Sequence, residues 1–156
     1  MSAPLPSLPP RSPHPPRRPR FGRSLKPFRY PLLWSALWCA AVAAVVVLSL
    51  TPPPDLGALP RHIDKAEHFL AYAALAAGAV QLYPRWRSLF SVGIALVLMG
   101  IGLEYAQGAL TTDRMMDRAD ALANTLGVIA GLATQLTPWR DVLLRLDRGA
   151  SDATPR

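Results

Sequence analysis

The chain has 156 residues, 51% of them hydrophobic, and a formal net charge of +7. Its apolar residues are gathered in long blocks, which argues against an ordinary water-soluble core and for membrane spans. The basic excess is local: seven of the 17 Lys and Arg residues lie in residues 1–30, which hold no acid.

Residues 1–30 also carry nine prolines. Such a segment cannot bury enough apolar surface to fold alone, so it reads as a disordered, partly polyproline-like tail. Its aromatic residues are Phe21, Phe28 and Tyr30, too few to interleave with the arginines as in a nucleic-acid reader. Because the tail runs straight into an apolar stretch, attraction to anionic lipid on the cytoplasmic face accounts for its charge better than nucleic acid does, and an inert tether is the plainer reading of the tail; no nucleic-acid partner is expected. Cys39 is the sole cysteine, so no internal disulfide can form.

Leu32 to Leu50 is a run of 19 residues without a charge, long enough to span a bilayer. Pro52-Pro53-Pro54 follow at the place where a signal peptide would be cleaved, so an uncleaved anchor is expected. A Pro-rich loop covers 51–63. A second, alanine-rich span runs from about Ala66 to Tyr83, and Pro84 to Arg87 makes a tight basic turn. The third span, Leu89 to Leu110, holds Gly93, Gly100, Gly102, Glu104 and Gln107. A polar loop with Asp113, Arg114, Asp117 and Arg118 leads to a fourth span from about Ala119 to Leu136, which carries Asp120 and Asn124. Pro138 ends it, and Arg140 to Arg148 can lie as a short interfacial helix on Val142, Leu143 and Leu146.

These elements predict an all-α protein: a four-transmembrane-helix bundle over residues 31–138, a disordered tail over 1–30 and a short C-terminal tail over 139–156. The N-tail, the Pro84–Arg87 turn and the C-tail hold thirteen basic residues, against four on the other two loops and their flanks. The positive-inside rule then places both termini in the cytoplasm. Tyr30, Trp34, Tyr83, Trp86 and Trp139 all fall at the inner interface, as an aromatic belt should.

Asp64, His68 and Tyr72 fall at successive i+4 steps and share a helix face. Given that topology, His68, Glu104 and Asn124 all lie roughly 6–9 Å below the outer boundary at 1.5 Å per residue. Three helices therefore bring polar groups to one level, with Asp64, Glu67 and Asp120 at its rim. Gly127 and Gly131 share the face of Asp120 and Asn124, as close helix approach in lipid requires.

Such a cluster has three readings. The first is a structural network that holds the helices together. The second is a site for a lipid or lipid-linked head group, with Arg114 or Arg118 on phosphate and His68, Glu104 or Asp120 as acid–base candidates. The third is a metal-assisted site from Asp64, His68, Glu104 and Asp120, although their spacing matches no metal signature and no metal or cofactor is assigned. A nucleophile elbow, a phosphate loop and paired cysteines are all missing from the sequence.

Three ordered motifs carry a resemblance. Asp64-Lys65-x-x-His68-Phe69-x-Ala71-Tyr72, Gly100-x-x-x-Glu104-x-x-Gln107, and Arg114 followed by Asp120-x-x-x-Asn124-Thr125-Leu126-Gly127 resemble the VanZ-like family of small bacterial membrane proteins. The likeness covers residues 60–136. It implies a multi-helix envelope protein with membrane lipid or a lipid-linked precursor as partner, and a role of the kind seen in teicoplanin resistance. It brings no settled activity, so whether the protein is an enzyme stays open. By motif position it implies Asp64, Lys65, His68, Tyr72, Glu104, Gln107, Arg114, Asp120 and Asn124 as binding residues. Asp113, Asp117 and Arg118 add charges around the motif arginine, leaving open which arginine reaches the site.

Overall fold

The computed structural model describes residues 24–51, 61–110 and 117–149. Most of the Pro-rich tail and the loops at 52–60 and 111–116, with Arg114, lie outside the described residues. Within them the protein is all-helical. Helices α1 (Pro31–Leu50), α2 (Arg61–Leu82), α3 (Trp86–Leu110) and α4 (Arg118–Ala133) are followed by two 3₁₀ turns, Thr134–Leu136 and Pro138–Asp141, and by α5 (Val142–Gly149).

Helix α1 starts with Pro31 in its first turn, where a missing N–H costs nothing. It is apolar all round and contributes no buried residue. Helices α1 and α3 are long and apolar enough to cross a membrane. Helix α2 starts at Arg61, earlier than the predicted Ala66, because Asp64 in its first turn complements the positive end of the helix dipole. It is the central helix and touches every other one, most closely α4.

Two glycines set that closest approach. A Cβ on Gly127 would overlap the carbonyl oxygen of Phe69, and one on Gly131 would overlap that of Ala73. Backbone therefore meets backbone, as in small-residue packing between helices in lipid. Helix α3 closes over this pair through Gly93, against Leu132, and Gly100, against Tyr72 and Asn124. The core so enclosed is small: Tyr72, Leu75, Ala76, Leu96 and Val128 in one cluster, Ala79, Val80 and Leu89 in the next.

The outside is more apolar than the inside. Leu122, Leu126 and Ile129 on α4 are 59%, 48% and 58% exposed, whereas Asp120, Asn124, Gly127 and Gly131 on the same helix are buried. Helix α3 shows Phe90, Ile94, Leu98 and Ile101 outward and keeps Glu104 and Gln107 inside. Polar residues inside and large apolar residues outside invert the arrangement of a water-soluble helix.

The end of the bundle that carries α5 is held by residues that the sequence places in the tail. Lys26 is buried. Its Nζ donates to Val80 O at 2.9 Å and to Arg140 O, and it pairs with Asp141 Oδ1 at 2.9 Å. Asp147 on α5 accepts from Trp34 Nε1 at 2.8 Å and from the backbone N–H of Arg29. Residues 24–30 thus tie the start of α1 to α5. Such a buried ammonium needs at least two oxygen partners from distant segments, which tail composition does not announce.

Candidate functional site

At the opposite end of the helices, charged and polar side chains from α2, α3 and α4 meet. Asp117 caps α4, its carboxylate accepting from the N–H of Ala119 at 2.8 Å. Asp120 follows in the first turn, where the helix dipole favours an acid. Lys65, on the first turns of α2, donates to Asp117 Oδ2 at 2.7 Å and to Asp120 Oδ1 at 2.8 Å. The hydrogen bonds from Asp117 and Asp120 hold the Lys65 ammonium well above its ordinary value, so it stays charged.

One turn deeper, His68 Nδ1 lies 3.1 Å from Asn124 Oδ1. A carbonyl oxygen only accepts, so Nδ1 carries a proton, and in the neutral ring Nε2 holds the lone pair. Nε2 faces Asp64 Oδ1 at 3.9 Å, and Nδ1 is 3.9 Å from Glu104 Oε1. Glu104 comes from α3 and is 3% exposed. Its Oε2 lies 3.5 Å from the N–H of Asp117, while Oε1 is buried without a hydrogen-bond partner. The Tyr72 hydroxyl, 1% exposed, likewise has none. It sits where a Cβ on Gly100 would come within 3.1 Å of both Tyr72 and Asn124, so Gly100 makes room for the two polar tips.

A cavity of about 190 Å³ opens beside this cluster. Asp64, Glu67, His68 and Tyr72 line one side, and Val45, Leu48 and Ser49 of α1 the other. One wall is polar and the other mostly hydrocarbon. This division suits a molecule with a polar head and an apolar part.

Of the residues implied by the motifs, Lys65, His68, Glu104, Asp120 and Asn124 are linked by these contacts, with Asp64 and Tyr72 at the cavity wall. Gln107 is placed differently: its Nε2 donates to Ser49 O at 2.7 Å, tying α3 to α1. Arg114 lies outside the described residues, and Arg118 is exposed at the start of α4. Two contributors were not singled out in the sequence. Asp117 was legible in principle, because an Asp just before a helix is a capping signal. The α1 wall was not, since nothing in a uniformly apolar run marks Val45 or Leu48. Comparison with protein-family models, curated proteins and solved structures finds no match to this chain.

Proposed function

We propose that this chain is a VanZ-like protein of the bacterial inner membrane, spanning it four times with both termini in the cytoplasm. Helices α1 and α3 meet the requirement by length and composition. Two observations favour adding α2 and α4. From Arg118 to Leu136 the chain is helical and rises about 28 Å, close to the hydrocarbon thickness. Leu122, Leu126 and Ile129 turn outward as lipid-facing residues would. The low hydrophobicity of α2 follows from its central position, since its neighbours and not lipid cover most of it.

In this reading the pocket binds or modifies a lipid or lipid-linked component of the envelope, the role that accords with a family associated with glycopeptide resistance. The observation that carries it is the two-sided cavity, with His68 and Asp64 opposite Val45 and Leu48. A second reading, acid–base chemistry on a lipid head group, draws on the orphaned Glu104 oxygen beside the His68 imidazole.

The test is lipid mass spectrometry of the protein purified in mild detergent, alongside His68→Ala, Glu104→Gln and Asp120→Asn. A lipid retained by the parent protein and lost from folded variants supports the reading. Loss of expression and thermal stability in all three, with no retained lipid, would leave only a scaffold.

A further inference from the structure

We propose that Asp64, His68 and Asp120, with Glu104 beside them, bind one divalent transition-metal ion. One ligand atom from each of the first three lies within 4.8 Å of the others. Asp64 and His68 come from successive turns of α2, and Asp120 from the first turn of α4, the helix packed closest to α2. The site is thus held by the tightest contact in the fold.

The histidine is oriented as a metal ligand is. Asn124 fixes the proton on Nδ1, which leaves the Nε2 lone pair directed at the Asp64 carboxylate 3.9 Å away. Two acceptors that face each other with no hydrogen between them repel, and a cation between them turns that repulsion into attraction. A metal-bound imidazole usually donates its other N–H to an oxygen acceptor, and the Asn124 side-chain oxygen is placed as one.

A second observation concerns the other nitrogen of that ring. Glu104 is 3% exposed, and its Oε1, 3.9 Å from Nδ1, has no hydrogen-bond partner. A buried carboxylate oxygen in that state calls for positive charge. Lys65 does not supply it, because its hydrogen bonds go to Asp117 and Asp120. A carboxylate has about four lone-pair sites, so Asp120 can serve Lys65 and an ion together.

One imidazole among carboxylates selects for zinc or manganese over magnesium or calcium. Metal–ligand bonds of about 2.0–2.2 Å require the three ligand atoms to close by about an ångström. Asp64, half-exposed at the rim, can rotate to do this. The cavity beside Asp64 and His68 gives the ion its entry and leaves room for water on its open positions. The inference uses the same pocket as the lipid reading but needs no lipid, so the two fail separately.

The experiment takes the untagged full chain in detergent, stripped of lipid and dialysed against chelator. Zn²⁺ and Mn²⁺ are then added singly, with calorimetric titration and elemental analysis of bound metal. About one ion per chain is expected, with affinity weakened roughly ten-fold or more in His68→Ala and in Asp64→Asn. Ser91→Ala, on the exposed face of α3 and away from the cavity, should bind as the parent does. Asp64→Asn keeps size and shape at an accessible position, so it reads ligand loss where His68→Ala misfolds. No binding of either ion by the folded parent, or binding undiminished in Asp64→Asn, would overturn the proposal.

Discussion

His68 and Asn124 meet across the α2–α4 contact, Nδ1 to Oδ1 at 3.1 Å, with Asn124 only 2% exposed. That bond sets the tautomer of the ring and so decides what its other nitrogen can do. Asn124→Ala should lower stability in detergent by about 1–2 kcal/mol, the cost of a buried donor left without its acceptor. Combined with His68→Ala in a double-mutant cycle, the two changes should fall short of additive by about 0.5–1.5 kcal/mol. Thermal unfolding of the four proteins measures it. Strict additivity would mean that the bond is not made.

Gly127 and Gly131 should tolerate no side chain. Gly127→Ala pushes a methyl group into the Phe69 carbonyl, and backbone cannot yield as a side chain can. A loss of about 1–3 kcal/mol is expected. Gly102 on α3 has open space around its Cβ position, so Gly102→Ala should be neutral or stabilising by about 0.5–1 kcal/mol through helix propensity. Melting temperatures of the two variants should therefore move in opposite directions.

Acid should loosen the end that holds Lys26. The hydrogen bond from Lys26 holds the Asp141 carboxyl below its ordinary value. A group lowered on folding contributes stability that is present above its unfolded value, about 3.8. That contribution is lost as pH falls further, through the folded value. Melting temperature followed from pH 7 downward should fall below about pH 4, and the part of that fall due to this pair should vanish in Asp141→Asn. An identical profile in the variant would assign the acid sensitivity elsewhere.

Reporter fusions read the topology directly. Insertions after residues 60 and 115 should report from outside the cell, and a fusion at the C-terminus from the cytoplasm. An inward signal at residue 115 would leave α4 on the membrane surface.

Much of the site was legible because helix geometry is strict. The i+4 spacing of Asp64, His68 and Tyr72, and the rise from Glu104 and Asn124 to their helix ends, are enough to bring His68, Glu104 and Asn124 to one level. The same reasoning could not assign Gln107, because a residue one turn from Glu104 can turn to either neighbour and here turns to Ser49 of α1. Lys26 was hidden for a different reason. It follows a proline- and arginine-rich run, and its partners Val80, Arg140 and Asp141 lie far along the chain. Only its tertiary contacts reveal its role.

The contacts of Lys26 and Asp147 impose an order on assembly. The segment ahead of α1 is made well before most of its partners, which lie in residues 140–147. Until those are made, α1 can pack on α2 and α3, but the clasp on its first turn cannot close. A chain cut short before Arg140 would keep that packing and leave the start of its first helix unfastened.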